Sequence, residues 1–164
     1  MANDSAARGA VSSMYYLEPT QDAGRALVMR RISDDVVMLN LLRFREIANY
    51  STCPELAPNT PVSGAAAFQR YIEHTLPFLR QSGGDLLFRG VGGPFLIGPE
   101  AERWDLVMLV RQGSVESFLA FASNAGYLAG LGHRTAALED SRLLPLVPMV
   151  PPWSSEPFDP SLAD

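Results

Sequence analysis

The chain has 164 residues, 47% of them hydrophobic, which suits one compact domain able to bury most of its unfolded surface. A formal net charge of −5 and a pI near 5.0 argue against nucleic acid as a partner, because phosphate binding needs clustered Lys and Arg and no basic stripe is present. No apolar run approaches the ~20 residues that cross a bilayer, and the N-terminus carries Asp4 and Arg8 without a hydrophobic segment, so the chain is expected to be cytoplasmic and free of membrane contact.

Residues 1–13 are small and polar and are expected to be disordered. Residues 19–31 read as a helix with Pro and Asp near its start and an apolar stripe of Leu27, Val28 and Ile32. The run Val36-Val-Met-Leu-Asn-Leu-Leu-Arg-Phe44 then places one amide and one guanidinium in a strand that is apolar on both faces. Such a strand is covered on both sides, and a small domain rarely supplies the second cover alone, which implies a partner subunit. Prolines with Asn, Ser and Thr mark residues 44–61 as a long loop of the kind that frames binding sites.

Ser63 is placed to cap a helix running to Gln81, with Phe68, Tyr71, Ile72, Thr75, Leu76 and Leu79 on one face and Gly83-Gly84 as its stop. Residues 85–91 form a strand, Gly92-Gly-Pro94 a bulge, and residues 95–97 its continuation. In the next strand, Trp104, Leu106, Met108 and Val110 alternate with Asp105, Val107, Leu109 and Arg111, so both faces are again mostly apolar. Ser114 caps a further helix with a core stripe of Phe118, Leu119 and Ala122, a shorter helix spans about 126–139, and the last strand covers about 142–147. Prolines between Pro145 and Pro160 then define an extended tail that cannot enter a sheet interior and is suited to lying across a neighbour.

Several site classes receive no support. The single cysteine, Cys53, excludes an internal disulfide, and its polar Ser-Thr-Cys-Pro surroundings offer no activating group. The two histidines, His74 and His133, have no metal-ligand spacing, and the glycine clusters lack phosphate-loop or dinucleotide spacing, so no cofactor is implied.

The order is a helix followed by β-α-β-β-α-β, the ferredoxin-like α+β arrangement of four antiparallel strands with helices on one face. The sequence resembles the DUF1330 family of the dimeric α/β-barrel superfamily in Val36-Val-Met-Leu-Asn-Leu-Leu-Arg-Phe-Arg45, in the Gly-Gly before the second strand, and in Trp104-Asp-x-Val-x-Leu-Val110. Ser114-x-x-x-Phe118 and Tyr127 followed by His133-Arg-x-Ala-Ala-Leu-Glu-Asp-Ser-Arg142 complete the resemblance, which covers residues 34–147. It departs at Gln112-Gly113, where a Tyr-Pro-like pair is expected, and in the proline tail. The domain boundaries expected on this basis are an extension over residues 1–33, the ferredoxin-like domain over 34–147 and the tail over 148–164. The resemblance implies a homodimer with its two sheets packed face to face and, in each subunit, a cleft between sheet and helices. It implies no particular reaction, since superfamily relatives range from cofactor-independent monooxygenases and isomerases to stress-response domains.

Six residues are candidates for a site. The amide of Asn40 shares a face with Met38 and Leu42; it is suited to polarising a ligand carbonyl or enolate, and equally to satisfying neighbouring backbone. Arg43 can hold an anion, but pairing with a carboxylate such as Asp105 is the commoner role. Tyr71 offers a phenol beside a substrate or simply a core ring, and Trp104 an indole N–H for a ligand or for a rim hydrogen bond. His133 is placed for general-base work, with adjacent Arg134 lowering its pKa, against the alternative of a surface or capping histidine. Arg134 can clamp a substrate or pair with Glu139 or Asp140. His74 is expected on the solvent side and carries no function. Two readings follow: a homodimer that binds an unidentified small molecule, or a cofactor-independent monooxygenase or isomerase acting on a small aromatic or carbonyl compound, with Asn40, Tyr71 and His133 catalytic and Arg43, Trp104 and Arg134 binding the ligand.

Overall fold

The structure is a computed structural model that describes residues 15–149. The disorder expected of residues 1–13 and nearly all of the proline tail lie outside these residues. A first helix, α1 (Gln21–Met29), is capped by Thr20, whose side chain accepts from the Ala23 N–H. Its Leu27 packs on Val36 and Met38, while Val28, expected in the stripe, is exposed because the helix meets the sheet over a single ridge.

Strand β1 (Val36–Phe44) leads through a short 3-10 turn at Pro54–Leu56 to α2 (Gly64–Gln81), β2 (Asp85–Pro94) and β3 (Arg103–Gln112). Helices α3 (Val115–Ala122), α4 (Ala125–Ala129) and α5 (Leu131–Ala137) follow, and β4 (Leu138–Leu146) closes the order. The four-stranded sheet runs β2-β3-β1-β4, all pairs antiparallel, consistent with the ferredoxin-like arrangement.

Helix α2 begins where Ser63 accepts from the Ala66 N–H and ends at Gly83, whose φ of 85° lets its own N–H and that of Gly84 turn back onto the last helical carbonyls. Phe68, Thr75 and Leu79 of the expected stripe are buried, and Tyr71, Ile72 and Leu76 pack at its margin. Phe68 joins Leu42, Met108, Ala137 and Leu138 in the main core, each large apolar side chain there contributing about 1.5–3 kcal/mol by leaving water. The 44–61 loop is less polar than its composition suggests: Tyr50 and Cys53 are buried in this core, with Cys53 against the backbone of Gly132.

Five local expectations change. The β2 irregularity falls between Leu86 and Phe88 rather than at the glycines, and residues 95–97 form no strand but an exposed connection to β3. In α3, Phe121 is the buried residue, packed with Leu79 and Tyr127, and Leu119 is exposed. The expected helix over about 126–139 breaks into α4 and α5 at Gly130, which packs against the His74 ring. Strand β4 starts four residues early because Leu138 pairs with Phe44 at the bulge next to Arg43.

All helices pack toward one face of the sheet, where Val36, Met38, Leu42 and Met108 are buried. On the other, Val37, Leu39, Leu41, Val107 and Leu109 are only half-buried and Leu144 is exposed, so one chain leaves that face without cover among the described residues.

Candidate functional site

A cleft of about 310 Å³ opens between α2 and the β2 side of the sheet. Helix α2 supplies Ala65, Phe68, Gln69 and Ile72, the sheet supplies Phe44 and Leu106, and β2 supplies Arg89, Gly90 and Val91. The register decides which β2 side chains reach it: after the bulge, Arg89 pairs with Met108 and Val91 with Leu106, both on the helix-covered face. Phe44 and Phe68 form the aromatic floor, with ring centroids 5.3 Å apart and planes tilted by 42°. At the mouth, the Arg89 guanidinium makes a long 3.5 Å contact to the Gln69 side-chain oxygen, while the Gln69 amide donates to Glu73 at 3.0 Å. Among the described residues no three His, Cys, Asp or Glu side chains stand close enough to share a metal ion.

None of the six residues singled out from the sequence lines this cleft. Asn40 is half-buried in mid-sheet and donates its amide N–H to the Met38 carbonyl of its own strand at 3.1 Å. The Tyr71 hydroxyl lies 3.1 Å from that of Tyr127. Burial, reinforced by the adjacent Tyr71 phenol, pushes Tyr127 far above the usual phenol range. His133 Nδ1 and the Tyr50 hydroxyl share a hydrogen bond of 2.8 Å. Its pKa is lowered, as expected, but by burial first and then by Arg70 and His74 rather than by Arg134. His74 is not on the solvent side: Nε2 bonds the Gly126 carbonyl at 2.7 Å and its ring lies on Phe78, tying α2 to the last helices.

The remaining three gather at the end of the sheet where β1, β3 and β4 meet. Trp104 is buried and donates its indole N–H to Glu102, while the Arg43 and Arg142 guanidinium groups lie 5.8 Å and 5.0 Å from its ring centre. Arg43 pairs with Glu139 at 3.0 Å and with Asp140 at 3.6 Å, not with Asp105, which instead binds Arg103 and accepts the Phe44 N–H. Arg134 pairs with neither Glu139 nor Asp140; it donates to the Leu17 carbonyl and to Ser141. These bonds hold residues 15–17 along β4, where Ser141 donates to the Tyr16 carbonyl and the Tyr16 N–H donates to Asp140. Burial opposes the charge on Asp140, but the Tyr16 N–H, Arg142 and the Ser141 N–H outweigh it and hold the carboxyl below its usual range.

The cleft residue Arg89 escaped the sequence reading for a definite reason. Strict alternation along 85–91 puts Leu86 and Arg89 on opposite faces, whereas the bulge at Leu87 puts both on the helix-covered one. The local sequence carries no glycine or proline at Leu87 to announce it.

No family model and no curated protein matches this sequence, so the likeness to DUF1330 rests on the motifs quoted above. Among solved structures the chain is similar to the RPA0582 protein of unknown function from Rhodopseudomonas palustris, at 31% identity over 84% of this chain and 100% of that one, with a TM-score of 0.70. A methylated form of RPA0582 matches at the same identity and score, over 97% of that chain. An uncharacterised NIPSNAP-like domain protein from Burkholderia xenovorans is more distant, at 17% identity and a TM-score of 0.42 over 72% of this chain and 90% of its own.

Proposed function

We propose that this chain, which belongs to the same family as the RPA0582 protein of Rhodopseudomonas palustris, is a homodimeric small-molecule-binding protein of the dimeric α/β-barrel type. The observation that carries the binding reading is the cleft of about 310 Å³ between α2 and the sheet, at the lower end of the range typical of ligand pockets and walled mainly by aromatic and aliphatic side chains. The homodimer reading is supported by the open sheet face, where Val37, Leu39, Leu41, Val107 and Leu109 remain half-exposed in one chain and Leu144 is exposed.

Catalysis is the weaker reading, because Asn40, Tyr71 and His133 are each engaged by Met38, Tyr127 and Tyr50 and do not border the cleft. On this account Arg43 and Arg134 fasten the N-terminal segment to the sheet, and Trp104 backs the Arg43 and Arg142 guanidinium groups, rather than any of the three contacting a ligand. The test is an NMR screen of small aromatic and aliphatic compounds. Amide shifts are expected at Phe68, Gln69, Ile72 and Val91, and Ala65→Trp, which fills the cleft from an exposed position, should abolish them without unfolding the chain. Shifts centred on Tyr50 and His133 instead would move the site to the contact between the 44–61 loop and α5 and overturn the cleft reading.

A further inference from the structure

We propose that the cleft takes a small amphipathic carboxylate, with its acid group on Arg89 and its apolar part against Phe44, Phe68 and Ile72. The inference rests on the reading of this cleft as a binding site and adds the chemistry of what enters it.

Arg89 lies at the mouth of a cavity whose inner wall is apolar, and among the described residues it has no carboxylate partner. Arg25, Arg43, Arg80, Arg103, Arg111 and Arg142 pair with acids, whereas Arg89, like Arg134, meets only a neutral partner. The Gln69 amide N–H is taken by Glu73, and its oxygen turns toward Arg89. Gln69 thus steers the guanidinium without neutralising it, leaving most of its N–H donors for a ligand. The planar fork of a guanidinium matches the two oxygens of a carboxylate. A phosphate dianion would leave its second charge without a partner, as Arg89 is the one basic residue lining the cleft. The tilted Phe44 and Phe68 rings favour an aromatic or short aliphatic body next to that acid group.

Phenylacetate and its neutral isostere phenylacetamide separate the two levels of the argument. Binding is read from amide shifts at Gln69, Ile72, Gly90 and Val91 in the full chain, for the wild type and for Arg89→Gln. The expected result is that the acid binds the wild type about tenfold more tightly than the amide and that Arg89→Gln removes this preference. Because Arg89 is exposed, the variant should keep its fold, which its undisturbed spectrum will verify. Equal affinities of acid and amide at the wild-type cleft would overturn the carboxylate assignment and leave the cleft reading standing. Failure of both probes to shift any cleft residue at millimolar concentration would overturn both.

Discussion

Leu39 lies at the middle of the uncovered face, on an inner strand, opposite Leu109 of β3 and Leu144 of β4. In one chain it is only half-buried, so Leu39→Glu can keep its carboxylate in water and should cost the monomer no more than about 1 kcal/mol of strand preference. In a face-to-face dimer the same change acts twice. Each subunit forfeits the remaining burial of one leucine, about 1 kcal/mol, and must bury an unpaired carboxylate at a cost of several kcal/mol. The sum over two subunits exceeds about 6 kcal/mol, or roughly four decades in the dimer dissociation constant at ~1.4 kcal/mol per decade. Leu39→Ala, which deletes apolar area without adding charge, should weaken the dimer by only about thirtyfold. Sedimentation equilibrium across a wide concentration range reads both values, with circular dichroism to check that each variant is folded. A folded Leu39→Glu protein that dimerises as tightly as the wild type would refute the packing of these faces, as would a wild type that stays monomeric at high micromolar concentration.

Two further outcomes test the architecture of the single chain. The depressed pKa of Asp140 means that its contribution to stability is complete above the ordinary carboxyl range and is lost as pH falls through the lower folded value. Urea midpoints of Asp140→Asn should therefore lie below the wild type at neutral pH and converge with it only once the pH has fallen below the ordinary carboxyl range, and parallel curves would remove Asp140 from the account of acid sensitivity. Gly64 faces the backbone carbonyls of Arg45 and Ala137, the latter only 2.6 Å from where a methyl group would sit, so Gly64→Ala should lose more than about 2 kcal/mol in denaturant unfolding. Gly24→Ala, mid-helix in α1 with nothing in its way, should gain about 0.5–1 kcal/mol, and similar values for the two would show that the close approach at Gly64 does not constrain the chain.

Much of the scaffold was legible because its signals are local. Ser63, Ser114 and the Gly83-Gly84 stop set the ends of their helices where the capping and left-handed-turn rules put them, and the apolar run at 36–44 coincides with β1. What failed to appear were features set by register and by tertiary partners. The shift at Leu87 moves Arg89 to the helix-covered face, and no residue preference encodes a one-residue slip of this kind. Likewise, the ion pairs of Arg43 were assigned to the wrong strand, since Asp105 and Asp140 are equally plausible by type and only the β1–β4 pairing brings Arg43 opposite Asp140. His74 looked solvent-facing between Glu73 and Thr75, yet the break at Gly130 creates the notch that receives its ring.

The margins of the sheet limit what sort of assembly the chain can enter. At β4, Tyr16 already occupies the outward backbone N–H of Ser141, Pro145 has no N–H to offer, and Arg30 covers the Pro145 carbonyl. At the opposite margin, β2 is interrupted by its shift at Leu87 and stops at Gly93 and Pro94. A further strand would therefore meet no free N–H at Ser141 or Pro145 on one margin and a broken register at Leu87 on the other.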